Sequence, residues 1–184
     1  MGLDYTKGCV NFRDVGAFVN LISEKTVLPE GRIYRGGSID YLKDHKEIEY
    51  AKSIVNLRNG GDPDDFDSAY FHFPMSNKIE KYDTKQKEVR IWLNAIIRLF
   101  ENPKLSYPVL IHCLSGKDRT GIVVAAVLLI LGVDKSVICK EYMLSYGDVN
   151  EALITMSMKG MEPLENYFNR VDLVKIKENI LKRD

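Results

Sequence analysis

The sequence predicts an α/β fold: a central, mostly parallel sheet flanked by helices, with a helical C-terminal part, in one domain over residues 1–184. Three observations predict it. Residues 51–57, apolar at Ile54, Val55 and Leu57, and the continuous apolar run at 108–111 read as buried strands. Stretches of helical period alternate with such runs, and beyond residue 120 nearly everything carries that period. Finally, 184 residues suffice for one domain with a sizeable core and are too few for two comfortable ones.

Residues 11–16, Asn-Phe-Arg-Asp-Val-Gly, are rich in turn formers, and a hairpin or loop is expected over 18–27. Pro29-Glu30-Gly31 then turns into a short strand at 32–35. Ser38 is placed to cap a helix beginning at 39–42. The strand at 51–57 leads into an acidic, glycine-containing loop at 59–67, and a further short strand ends at Met75. Asp83-Thr84 opens an amphipathic helix. Val89, Trp92, Leu93, Ile96, Ile97 and Phe100 fall at i, i+3, i+4, i+7, i+8 and i+11, a stripe most simply read as core. Asn102-Pro103 ends that helix, and a strand starts at Val109. Next come a buried helix over 120–131 stopped by Gly132, a helix capped by Asp134 through Met143, and shorter helices at 150–158, 162–169 and 171–181. There is no internal repeat, low-complexity segment or linker.

Composition narrows the function. Lys plus Arg and Asp plus Glu number 26 each, so no global basic field points to nucleic acid, and anion binding has to be local. The longest apolar run, residues 122–131, is about half of what a membrane span needs, so no stable membrane insertion is expected. Met1-Gly2-Leu3-Asp4 lacks the apolar segment of a signal peptide, and Gly2 meets only the bare pattern of an acylation site. Three cysteines, Cys9, Cys113 and Cys139, show no paired spacing, which suits a reducing, cytoplasmic setting. No His/Cys/Asp cluster has metal-ligand spacing, so the expected chemistry needs no metal and no cofactor.

The chemistry lies in residues 112–121, His-Cys-Leu-Ser-Gly-Lys-Asp-Arg-Thr-Gly, between a strand and a helix. A strand–loop–helix junction aims several backbone N–H groups and the positive end of a helix dipole at one spot, where a phosphate fits. Leu114, Ser115, Gly116, Lys117 and Asp118 would line that cradle, with Gly116 letting the backbone fold inward. Arg119 adds a planar fork that grips two phosphate oxygens. The same field favours a thiolate at Cys113, a nucleophile in line with phosphorus. Thr120 is placed to donate to the sulfur and help it leave, and His112 to orient the loop from behind. A buried cysteine is usually inert. Yet six fixed residues at this spacing arise by chance on the order of once in 10⁵ chains of this length, which favours function.

His-Cys-x-x-Gly-x-x-Arg-Thr-Gly at 112–121 resembles the signature of the cysteine-dependent protein tyrosine phosphatase superfamily. With its Gly116-Lys117-Asp118-Arg119-Thr120-Gly121 it is nearest the microbial tyrosine and lipid phosphatases and the atypical dual-specificity group. Residues 11–16 with Tyr34-Arg35-Gly36-Gly37 are similar to the amino-terminal segment of those relatives, and Glu141-Tyr142-Met143-Leu144-Ser145 to a stretch after the loop helix. The resemblance spans roughly residues 9–146 and departs at Gly37, where relatives often have a serine nearby, and at Ala17, where they have a second glycine.

It implies phosphomonoester hydrolysis through a phosphocysteine, on phosphotyrosine or other phosphoprotein substrates. Phosphorylated inositols or lipids are the alternative, and a non-catalytic phosphate-binding module is an alternative of another class. Sulfur transfer by a rhodanese-like loop is disfavoured by the Arg-Thr-Gly helix start.

Two aspartates compete for the proton-donor role. Asp83 lies 30 residues before Cys113, where the superfamily usually carries its acid, although it also reads as a plain helix cap. Asp118 lies in the loop itself, where the microbial relatives have a proposed acid. Asn77 falls where some relatives place theirs, and an amide is no acid. Lys117 is a second positive charge at the mouth, suited to polyphosphorylated substrates or simply solvated. Arg13, Arg35 and Arg58 either line the pocket or tie loops to Asp14 and the acidic run near Asp62.

Overall fold

A computed structural model describes residues 3–182, so Gly2 lies outside the described residues. Among the described residues five strands form one sheet in the order β1-β2-β5-β3-β4: β1 (Arg13–Asp14), β2 (Ile33–Gly36), β3 (Ser53–Asn56), β4 (Ala69–His72) and β5 (Val109–His112). Every neighbouring pair is parallel except β1 with β2. His112 sits in register with Gly36 on one side and Asn56 on the other. The C-terminal ends of β2, β5 and β3 therefore share one edge, where open parallel sheets collect their ligands.

The helices are α1 (Val15–Ser23), α2 (Lys87–Arg98), α3 (Asp118–Leu131), α4 (Lys135–Met143), α5 (Glu151–Gly160), α6 (Leu164–Tyr167) and α7 (Leu173–Leu181). Alternation along the strands sends Val109 and Ile111 into the large core formed with α2, α3, α4, α5 and α7. Leu110 and Ile54 point to the other face, which a 3₁₀ turn at His45–Ile48 and neighbouring loops cover through Ile39, Ile48 and Ala51. Residues 120–130 of α3 are all buried, because helices pack around it as well as the sheet. The apolar stripe of α2 is core, as its spacing predicts.

Three local expectations fail. The segment expected as a hairpin or loop over 18–27 instead contributes most of α1. Asp14 caps this helix by accepting from the amides of Gly16 and Ala17, at 2.8 and 3.4 Å. The apparent turn former Asn20 serves a tertiary purpose, accepting from Val27 N and Leu28 N and donating to Leu28 O. No helix forms at 39–42. Ser38 does accept from Asp40 N, but its own amide donates to Leu114 O and the Asp40 carboxylate bonds Arg58, so the segment is pulled into loop contacts. The long helix starts at Lys87 rather than Asp83, which is spent on a preceding turn.

Candidate active site

Residues 113–117 leave β5 and curl back to the N-terminus of α3. What shapes the curl is where its carbonyls go. Leu114 O accepts from Ser38 N at 2.8 Å, Ser115 O from Asn11 Nδ2 at 2.8 Å, and Gly116 O from Arg35 Nη2 at 2.9 Å. A trans peptide carries its N–H opposite its C=O. Tying these three carbonyls outward turns the amides of Ser115, Gly116 and Lys117 toward the loop centre. Among the described residues none of those amides has an acceptor. With the start of α3 behind them, they are donors of the kind that the sequence expects an anion cradle to use.

Gly116 is required for this curl. It has φ +67°, and a Cβ there would stand 2.4 Å from Gly36 C and 2.6 Å from Gly37 N. Gly37, the departure from the superfamily's pattern, is equally confined: a Cβ would meet Val10 Cγ2 at 2.4 Å and Leu114 O at 2.8 Å.

The three arginines left open by the sequence act as structural ties, and two of them share one carboxylate. Glu141 accepts from Arg13 Nε at 2.8 Å and from Arg35 Nη1 at 2.5 Å, with all three side chains nearly or wholly buried. Ser145 Oγ accepts from both arginines as well. Burial first, and Arg35 beside it second, push the Arg13 guanidinium down to about 10. Arg35 thus couples Glu141 of α4 to the underside of the loop. Asn11, held at φ 57°, also exchanges hydrogen bonds with the backbone of Tyr146, so the start of the chain clamps the loop to the segment after α4. Arg58 pairs with Asp40 at 2.5 Å and with the buried Asp62 at 3.3 Å. That hydrogen bond from Arg58 is the main cause that holds the Asp40 carboxyl below its ordinary value.

Cys113 is 3% exposed and its amide donates to Gly36 O at 3.4 Å. His112 is fully buried behind it, its Nε2 2.8 Å from Asp62 Oδ2. Arg119 is anchored through Nη1 to Leu57 O at 3.0 Å and through Nη2 to the side-chain oxygen of Asn77. Thr120 is buried, and its Oγ1 has no hydrogen-bond partner among the described residues.

The two candidate acids sit differently. Asp83 accepts from Lys85 N at 3.3 Å and Gln86 Nε2 at 3.2 Å, both within its own turn. Asp118 opens α3 beside Arg119 with its side chain 30% exposed, and its Oδ1 accepts from Tyr82 Oη at 2.5 Å. Lys117 turns away from the loop centre: its Nζ donates to Asp148 O at 2.7 Å and lies 3.8 Å from Asp118 Oδ1.

Comparisons with known proteins agree with this architecture. A family model described as "Tyrosine phosphatase family" matches residues 5–183. The chain belongs to the tyrosine phosphatase family. A 75-residue stretch is 55% identical to the triple specificity protein phosphatase PtpB of Mycobacterium tuberculosis; it covers 41% of the chain and only 26% of that relative. Among solved structures, the core catalytic domain of the PP-IP phosphatase SIW14 from S. cerevisiae is similar in fold. It has a TM-score of 0.54 at 18% identity, over 77% of this chain and 93% of that one. DUSP15 gives 0.52 at 15% identity over 78% and 94%.

Sequence reasoning missed Tyr82, and it left Asn11, Glu141 and Tyr142 without roles; the acidic run near Asp62 that it offered as an arginine tie does hold Arg58, and Asp62 also meets His112. Tyr142 explains a glycine of the motif. Its ring lies where a Cβ on Gly121 would stand, 2.8 Å from Cδ2, so only glycine admits it. Asn11 carries a faint sequence signal, since Asn tolerates positive φ. Tyr82 carries none.

Proposed function

We propose that the chain is a cysteine-dependent phosphomonoesterase acting on phosphotyrosine and other phosphoprotein substrates. What supports this reading is the loop that carries Cys113 at the end of β5 and Arg119 on the first turn of α3, with three amides between them that have no acceptor among the described residues. Phosphoryl transfer asks for positioning and charge neutralisation more than for covalent versatility, and this loop is built for both.

In the first step the Cys113 thiolate attacks phosphorus, the S–P bond forms and the P–O bond to the leaving group breaks. The departing oxygen takes a proton from Asp118. In the second step water attacks the phosphocysteine, its proton passes to the Asp118 carboxylate, and the S–P bond breaks to return the thiolate and inorganic phosphate. Arg119 and the loop amides balance charge on the phosphoryl oxygens throughout. Asp118 is preferred to Asp83 because it opens α3 directly after the loop, with its carboxylate 3.8 Å from Lys117 Nζ, whereas Asp83 is engaged in its own turn. Lys117 is tied to Asp148 O, which weakens it as a subsite for a second phosphate and favours the phosphoprotein reading over phosphorylated inositols. Neither step calls on a metal ion or cofactor. The three cysteines stand as free thiols, which suits a reducing compartment such as the cytoplasm.

The test is Cys113→Ser assayed on an aryl phosphate, with binding of a phosphotyrosine peptide measured alongside. Expected are loss of turnover, retained binding, and inhibition of the wild type by vanadate but not by a chelator. Undiminished turnover in Cys113→Ser rules the mechanism out, and an inactive wild type that still binds the peptide supports a non-catalytic module.

A further inference from the structure

Tyr82 is 4% exposed and lies in the segment that leads to α2, one residue before the aspartate that sequence spacing singles out. Its backbone is fastened on both sides. The carbonyl accepts from Ser157 Oγ at 2.8 Å and from Thr84 N at 3.0 Å, and the amide donates to Glu80 Oε1 at 3.1 Å. The ring meets Tyr142 edge to face, with centroids 6.5 Å apart and planes at 86°. The hydroxyl thus has little freedom, and it donates to Asp118 Oδ1 at 2.5 Å.

A phenol has one proton to give. The Tyr82 proton goes to Asp118, so the 2.7 Å contact between the two hydroxyls is a donation from Tyr142 to Tyr82. Tyr142 is itself seated on Gly121 of the signature loop. Two hydroxyls in series therefore end on one oxygen of the carboxyl, and Oδ2 is left as the oxygen that carries a proton to substrate. An aspartate on the first turn of a helix would otherwise sample several rotamers, and proton transfer tolerates little misplacement.

We propose that Tyr82 is a positioning residue for the reaction, holding Asp118 so that its second oxygen faces the leaving group, with Tyr142 as the support behind it. The inference rests on Asp118 being the proton donor. Burial, and then the bond to Asp118, push the Tyr82 phenol far above its ordinary value. It therefore keeps its proton, and its role as a donor, at neutral pH. A purely structural tie between the 76–86 segment and α3 would slow all substrates alike. Positioning of an acid slows only those whose leaving group needs a proton.

The experiment compares kcat/KM for p-nitrophenyl phosphate, whose phenolate leaves unaided, with that for phenyl phosphate, whose phenolate does not. Three variants are compared with the wild type: Asp118→Asn, Tyr82→Phe and Tyr142→Phe. Asp118→Asn is expected to lose on the order of 10²-fold on phenyl phosphate and less than about tenfold on the nitro ester. Tyr82→Phe, which keeps its ring, should lose about tenfold on phenyl phosphate with the nitro ester nearly unchanged, and Tyr142→Phe a smaller loss of the same pattern.

If Asp118→Asn depends on the leaving group while Tyr82→Phe slows both esters equally or neither, the Tyr82 inference is overturned and the acid assignment stands. If Asp118→Asn slows both equally, the acid assignment falls and the inference with it. Should Tyr82→Phe not fold, Tyr142→Phe decides the question by the same ratio, since its ring still rests on Gly121.

Discussion

Removing the charge of Glu141 tests the account of the loop most severely. Glu141 is 1% exposed in its side chain and is the carboxylate bonded to two guanidiniums that are 6% and 0% exposed. Glu141→Gln keeps the volume but leaves Arg13 and Arg35 as two buried positive charges without a counter-charge. Breaking a buried pair in this way costs about 3–5 kcal/mol, because solvent does not reach in to compensate. For a chain of this size each kcal/mol moves the midpoint by about 2–4 °C, so Tm should fall by roughly 6–20 °C.

Salt should not restore the loss, since buried pairs are poorly screened. Activity should fall as well, because Arg35 also holds Gly116 O and through it the amide of Lys117. Thermal and urea unfolding followed by circular dichroism, at low and high salt, measure the effect. A loss below about 1 kcal/mol, with phosphatase activity intact, would refute the argument that this carboxylate holds the loop from beneath.

Two further outcomes follow from the same geometry. Gly116→Ala places a methyl 2.4 Å from backbone atoms and asks an L-residue for φ +67°; the left-handed conformation alone costs about 1–2 kcal/mol. A urea midpoint within error of wild type together with unchanged vanadate binding would show that the loop curls by some other path. Burial pushes the Cys9 thiol up to about 12, against an ordinary 9.0 in the unfolded chain. The folded protein keeps this proton where the unfolded chain has released it, so the contribution of Cys9 is intact below about pH 9 and is lost as pH rises toward 12. Urea midpoints across pH 8–11 should therefore fall less steeply for Cys9→Ala than for wild type, and identical slopes would contradict this.

Local chemistry explains which parts were legible in sequence. The stripe Val89 to Phe100, the apolar run after Thr120 and the glycine stop at Gly132 are one-dimensional patterns, and each formed the element it predicted. Asp14, Ser38 and Asp83 were misjudged because a capping residue looks the same whether it starts a helix, closes a turn or serves a distant strand. Asp14 starts α1, Ser38 is engaged by the signature loop and Arg58, and Asp83 closes a turn.

By itself, the sequence determined the cysteine-to-arginine motif, the glycine at its turn and the alternating architecture, because each depends on residues close together in the chain. Tertiary structure decided what holds that motif in shape. Arg35 reaches Gly116 across 81 positions, Asn11 reaches Ser115 across 104, and Tyr82 reaches Asp118 across 36. None of these spacings is a period of helix or strand. The partners become neighbours only when the parallel sheet brings the ends of β2, β3 and β5 to one edge and α4 packs beside α3. The cradle's hydrogen-bond donors are backbone groups that every residue carries, and only the fold decides which way they point.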